Sequence, residues 1–304
     1  MQSVTNPTVV FIAGEGRSGS TVLDRCIGTA EGVASFNEMH EIVHQYRRNR
    51  KRCSCGDLPQ DCAFWREVFA DEELSANLSE LESGFERYDG SRNAIRLLLG
   101  LYGPEDRRRL RRYGDLTAGL YRRIAEVAGV SVIIDSSKNP SRVLILKRYA
   151  GLGVWCLHLV RNPVAVAASW ARAKSGMDDN LPTYERAATY TRWALKNLAC
   201  EALRFAVPYK RIRFEAFTAA PRRGLSEIKA WVPALRGRGD GFESEQEVRF
   251  GPFHSLQGNP DRFESGLVEI RRSRSRPLAD SGLSWFQRRM ASRYGYDRSD
   301  DPSG

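Results

Sequence analysis

The chain has 304 residues, with 47 Lys and Arg against 37 Asp and Glu and a formal net charge of +10. Hydrophobic residues make up 41%, which excludes a mostly disordered or collagen-like chain. The length is enough to bury a core without disulfide staples. Seven of the basic residues are Lys and 40 are Arg. Arg favours forked contacts to phosphate and carboxylate, so a nucleotide, a nucleic acid, a sulfated ligand or a membrane surface all come into view, although base composition alone also supplies Arg. No apolar run approaches the ~18 residues that span a bilayer. Residues 1–8 carry neither a basic n-region nor a long apolar h-region, so the cytoplasm is the expected compartment, with peripheral membrane contact left open.

In chain order, Thr8–Ala13 is a β-branched and aromatic run that predicts a buried strand, and Gly14–Thr21 is a Gly/Ser-rich loop. Val22, Leu23, Cys26 and Ile27 recur at helical spacing, and Val33–Phe36 reads as a short second strand. Residues 40–127 are rich in Arg and Glu with helical apolar spacing. They predict a helical cap inserted in one α/β domain, broken at Gly84, Asp89-Gly90 and Gly103-Pro104. Strands follow at Val130–Ile134, Val154–Val160 and Tyr209–Phe214. Helices are expected at Ser141–Tyr149, Val164–Ala173, Tyr184–Arg204, Pro221–Trp231 and Leu283–Tyr294. The alternation predicts an α/β fold in three layers: a central, mostly parallel sheet of the P-loop nucleotide-binding type with helices on both faces. Ligands of such sheets bind at the strands' carboxyl ends. The Arg271–Arg276 run reads as a solvated loop.

Gly14-Glu15-Gly16-Arg17-Ser18-Gly19-Ser20-Thr21 lies between a strand and a helix, where backbone N–H groups form an anion nest. Its spacing matches G-x-x-x-x-G-K-[ST] except that Ser20 replaces the Lys, and the cation moves to Arg17. Such a loop holds linked tetrahedral anions but is poorly equipped for metal-assisted γ-phosphoryl transfer.

Gly16-Arg17-Ser18-Gly19-Ser20-Thr21 resembles the 5′-phosphosulfate loop of the sulfotransferases that use 3′-phosphoadenosine 5′-phosphosulfate (PAPS), specifically the bacterial and tyrosylprotein-type branch. Arg161-Asn162-Pro163 with Ser169 resembles that family's 3′-phosphate motif, although Asn162 stands where many members have Asp. Arg213–Phe217 with Pro221 resembles a later strand and turn of the family. His254–Arg262, through Gly258, Asn259 and Arg262, resembles a late loop that closes over the nucleotide. The resemblance implies a PAPS-dependent sulfotransferase that needs no metal, transfers to a hydroxyl or amine and releases 3′,5′-ADP. Its nucleotide would be held by Gly16, Arg17, Ser18, Gly19, Ser20, Thr21, Arg161, Ser169, Gly258, Asn259 and Arg262. The acceptor is not legible: a carbohydrate, a lipid, a phenol and a peptide Tyr all stay open.

In-line sulfuryl transfer needs a base for the acceptor proton and cations for the leaving phosphate. Arg17 and Lys138, the latter just after a strand, are the candidate cations. Glu38 is the preferred base, with His40 and Glu41 as alternatives. Asp135 also resembles the Mg²⁺-binding Asp of P-loop kinases, and a kinase or NTPase is the competing function. With no loop Lys, Asp135 is expected instead to accept loop N–H groups. A nucleic-acid module is disfavoured because no reader motif accompanies the charge. Cys26, Cys156 and Cys200 read as buried residues. Cys53, Cys55 and Cys62, with His44 upstream, are a candidate zinc set, a disulfide or redox pair, or unlinked thiols. The C-x-C spacing is not the usual knuckle, and no metal is assigned.

Overall fold

The structure, a computed structural model, describes residues 6–174, 186–258, 260–278 and 282–296. The chain opens with β1 (Thr8–Gly14), α1 (Ser20–Gly28) and β2 (Val33–Ser35). Six helices follow: α2 (Ile42–Arg48), α3 (Ala63–Phe69), α4 (Glu72–Ala76), α5 (Leu78–Tyr88), α6 (Ala94–Leu99) and α7 (Pro104–Ala128). The chain then alternates through β3 (Val132–Lys138), α8 (Pro140–Arg148), β4 (Gly153–Val160), α9 (Pro163–Lys174) and α10 (Arg186–Glu201). It continues with β5 (Tyr209–Arg213), α11 (Phe214–Ala219), α12 (Pro221–Trp231), an antiparallel pair β6 (Glu247–Phe250) and β7 (Gly266–Glu269), and α13 (Trp285–Arg293). Tyr184, predicted to begin a helix, lies outside the described residues, as does Asn259.

The five strands β2-β3-β1-β4-β5 form a sheet in which every neighbouring pair is parallel. β1 is apolar throughout because both its faces are covered. Val9, Phe11 and Ala13 enter one core with Leu144, Leu146, Leu120 and Ile124. Val10 and Ile12 enter a second core with Leu23, Ile27, Leu225 and Ile228. Helices therefore pack on both faces, as the alternation predicts. Along the chain the strands build outward from β1 first to one side (β2, β3) and then to the other (β4, β5). This places a switch point, and hence a crevice, at the carboxyl end of β1. No helix among the described residues is long and apolar enough to cross a membrane.

Three boundaries differ from the sequence reading, each for a local reason. Val130 belongs to the end of α7: Gly129 takes a left-handed conformation (φ 64) and the Val130 N–H donates to Ala125 O at 2.9 Å. β3 correspondingly runs on through Asp135 to Lys138. Gly84 does not break a helix but lies inside α5, where a Cβ would stand 2.3 Å from the Tyr113 ring; its smallness lets α5 and α7 approach. Phe214–Ala219, read as strand end and turn, is a short helix.

Three of the exposed arginines of α2 and α7 form salt bridges with surface acids. Arg47 pairs with Glu82, Arg109 with Glu105 at 2.5 Å, and Arg112 with Glu73 and Glu80 at 3.4 Å. In the 271–276 run the arginines face solvent. Between them, Ser273 N–H donates to Thr218 Oγ1 and Ser275 Oγ accepts from Asn162 Nδ2 at 3.0 Å, so the segment is pinned rather than loose.

Candidate nucleotide-binding site

The residues after β1, β2 and β3 meet at one edge of the sheet. Four non-glycine residues among those described have left-handed backbones, and three of them are Arg17 (φ 64), Asn37 (φ 57) and Lys138 (φ 67) at these three strand ends. Such conformations persist where surrounding structure over-determines them, and they cluster at functional sites.

The loop after β1 is closely packed. Gly19 has φ 87 and its Cα faces the Phe214 ring, while a Cβ on Gly16 would stand 2.8 Å from Trp170 Cζ2. Ser20 and Thr21 form the buried first turn of α1, and the nearly buried Ser18 Oγ has no hydrogen-bond partner in the protein. An orphaned buried hydroxyl beside backbone donors at a helix start is the chemistry a phosphate or sulfate oxygen satisfies. Arg161, at the end of β4, donates to Arg17 O at 3.1 Å and lies over the Phe214 ring at 4.7 Å, so two predicted anion-holding segments touch. Ser169 is half-buried in α9, beside Trp170. Asn162 caps α9: its Oδ1 accepts from Ala165 N at 3.1 Å and its Nδ2 donates to Arg276 O at 2.9 Å. An Asp could make the first bond but not the second.

Lys138 Nζ donates to Glu38 Oε1 at 2.5 Å, and His40 Nε2 stands 4.0 Å from Glu38 Oε2 and 3.5 Å from Glu41 Oε1. Burial pushes the Glu38 carboxyl up, but the Lys138 ammonium, with Arg17 farther off, outweighs it and holds the carboxyl below its ordinary range. Burial pushes the His40 imidazole down to about 3, so it is neutral at physiological pH. The same influences bring Arg17, Lys138, Glu38 and His40 into one electrostatic neighbourhood.

Asp135 is fully buried and turned away from this edge. It accepts from Ser137 N–H at 2.8 Å and from Tyr121 OH at 2.5 Å. It therefore serves the end of its own strand rather than the phosphate-loop N–H groups that the sequence suggests, and joins a buried cluster with Arg142 and Asp89. Gly258 sits against Asn37, the residue before Glu38. Arg262 instead donates to Gly258 O at 3.4 Å and Arg52 O at 3.0 Å, where burial pushes its guanidinium down. Cys26, Cys156 and Cys200 are fully buried, as expected.

Sequence reasoning gives no role to three neighbours of the loop. The Trp170 ring is flanked by the guanidinium carbons of Arg17 at 5.3 Å and Arg192 at 4.9 Å, and Arg192 pairs with the buried Glu15 at 2.8 Å. Lys196 donates to Ser91 Oγ at 2.5 Å and to Asn139, and burial pushes its ammonium down. Arg192 and Lys196 stand four apart on α10, which is a signal for a shared helix face but not for which face meets the loop.

No protein-family model and no curated protein matches the chain. Among solved structures, a sulfotransferase domain from the curacin biosynthetic pathway matches with a TM-score of 0.51 and 18% identity, over 96% of this chain and 98% of that one. A sulfotransferase from Mycobacterium tuberculosis H37Rv (TM-score 0.40, 13% identity) spans 75% of this chain and 68% of its own. One from Alicyclobacillus acidocaldarius (0.37, 16%) spans 78% and 85%. At these identities the first likeness establishes the fold, and the chain has the α/β fold of a sulfotransferase domain.

Proposed function

We propose that the protein is a PAPS-dependent sulfotransferase. The observation that carries this reading is the convergence of the Ser20-for-Lys loop, Arg161 and the Glu38–Lys138 pair on the carboxyl edge of one parallel sheet. PAPS supplies the sulfuryl group and departs as 3′,5′-ADP. In this reading Gly16–Thr21 cradle the 5′-phosphosulfate with backbone N–H groups and the Ser18 hydroxyl, and Arg161 and Ser169 hold the 3′-phosphate. Gly258, Asn259 and Arg262 belong to the loop proposed to close over the nucleotide.

Glu38 takes the proton of the acceptor hydroxyl as its oxygen attacks sulfur. It is suited to this because it is ionised and a quarter exposed. The Lys138 ammonium, bonded to Glu38 Oε1, orients the carboxylate. Lys138 and Arg17 neutralise the charge that develops on the leaving phosphate. The departing phosphate competes with Glu38 for the Lys138 ammonium, so the base is released as the leaving group forms. The acceptor approaches Glu38 from the side of the helical segment between β2 and β3, which carries His40 and Glu41. No metal is needed for these steps.

The kinase reading is weaker because Asp135 is consumed by Ser137 and Tyr121 and no Lys stands at position 20. Incubation with sulfur-labelled PAPS and a panel of carbohydrate, lipid, phenol and tyrosyl-peptide acceptors tests the proposal. Label should pass to one acceptor class without added Mg²⁺. Transfer of γ-phosphate from Mg²⁺-ATP, with none from PAPS, would overturn it.

A further inference from the structure

The fold brings together four metal-ligand side chains that the proposed reaction does not use. Cys53, Cys55 and Cys62 lie in and at the end of the α2–α3 connection, and His254 lies in the β6–β7 connection, 192 residues beyond Cys62. Their ligand atoms all fall within 4.8 Å of one another. His44, the sequence candidate for a fourth ligand, is not among them: its Nδ1 is 2.6 Å from Glu82 Oε1. We infer that Cys53, Cys55, Cys62 and His254 form a structural zinc site that staples the α2–α3 connection to the β6–β7 loop.

Three of the six ligand–ligand distances are close to those of a tetrahedron's edges, and the remaining ones stay within 4.8 Å. Ligands about 2.3 Å (sulfur) and about 2.1 Å (nitrogen) from a zinc ion stand roughly 3.8 Å apart sulfur to sulfur and roughly 3.5 Å apart sulfur to nitrogen. Here Cys55 Sγ and Cys62 Sγ are 3.6 Å apart, and His254 Nδ1 is 3.3 Å from Cys62 Sγ and 3.8 Å from Cys53 Sγ. A disulfide would use only one pair and would leave the aim of His254 unexplained. Three thiolates and an imidazole are a soft, tetrahedral set that suits zinc rather than magnesium or calcium.

The surroundings hold these ligands in place. The His254 ring stacks on Phe64 at 4.8 Å with a 4° interplanar angle, which fixes where Nδ1 points. The turn Cys53–Asp57 closes with Gly56 N–H to Cys53 O at 2.9 Å and Cys53 N–H to Asp57 O at 2.8 Å. The two connections are already laced together, by Ser54 N–H to Ser255 O at 3.0 Å and Ser255 N–H to Ser54 Oγ at 2.8 Å. Ser255 Oγ in turn accepts from Asn37 Nδ2 at 2.9 Å and donates to Gln257 O at 2.6 Å. A cation at this point thus fixes the loop carrying Gly258 against the segment that carries Glu38. The inference rests on the four side chains and stands whether or not the chain is a sulfotransferase.

Metal analysis of the full chain, purified without a metal-affinity tag or chelator and then offered Zn²⁺, tests it. One zinc per chain is expected, retained by His44→Ala and lost in His254→Ala and in Cys55→Ser, whose thiol is exposed. A strong chelator should lower the wild-type melting temperature but leave Cys55→Ser unmoved. Wild-type protein that takes up no zinc and shows six free thiols would overturn the site. So would a peptide map showing a Cys55–Cys62 disulfide.

Discussion

Around β3 the chain builds two charge clusters from similar residues. One joins Arg142 to Asp89 at 2.9 Å, with Tyr113, Tyr121 and Asp135 around it, and its charged side chains are 0–4% exposed. The other joins Lys138 to Glu38, with His40 and Arg17 nearby, and its pair is 16% and 26% exposed. The first is closed off from solvent: one guanidinium is shared by two carboxylates and flanked by two tyrosine hydroxyls, between α7, α8 and the strand. The second opens on the loop after β1, beside an unpartnered Ser18 hydroxyl. Asp135 and Lys138, three residues apart on one strand, belong to different clusters. Closure marks a strut and openness marks a site.

The largest expected effect is on the strut. Arg142→Ala leaves two buried carboxylates without their cation and should cost about 3–5 kcal/mol of unfolding free energy by denaturant titration. Lys138→Ala should cost under about 1 kcal/mol while abolishing most turnover. Equal destabilisation by the two would erase the distinction. Glu38→Gln should lower kcat by about 10²-fold, or about 2.7 kcal/mol of barrier, with 3′,5′-ADP affinity unchanged. Unaltered turnover would move the base to His40 or Glu41.

A third expectation concerns pH. Burial raises Asp24, which accepts from Ser35 Oγ, from 3.8 to about 7. Between those values the folded chain holds a proton that the unfolded chain releases, so stability should fall as pH rises from about 4 to about 7 and then level off. Urea midpoints measured across that window should slope less in Asp24→Asn, and an identical slope would place the proton elsewhere. The smallest effect is expected at Trp170. Trp170→Leu removes the ring between Arg17 and Arg192 and should weaken 3′,5′-ADP by about fivefold, in line with cation–π contributions of about 1 kcal/mol. Calorimetric affinities would show it.

What was legible in the sequence was local. β1, its Gly-rich loop and α1 are contiguous, and Arg161 follows its strand directly, so period and turn chemistry place them without knowledge of the fold. Glu38 and Lys138 could be placed at strand ends, but not 2.5 Å apart. His254 was read only as part of a late loop because its sulfur partners are some 200 residues away, and His44 took its place by proximity in sequence. Trp170, Arg192 and Lys196 were missed because helical spacing does not say which face of α9 or α10 meets the loop. The start of β3 is misplaced because Val130 is apolar yet its N–H closes the end of α7.

In the proposed reading, the carboxyl edge of this sheet holds a nucleotide with separate 3′- and 5′-anions. Calorimetric titration of wild type and Arg161→Ala with 3′,5′-ADP, 5′-AMP and Mg²⁺-ATP tests it most directly. Wild type should bind 3′,5′-ADP more tightly than the other two without added metal, and Arg161→Ala should lose that preference while binding 5′-AMP as before. Binding of Mg²⁺-ATP alone, or equal loss of both nucleotides in Arg161→Ala, would contradict the account.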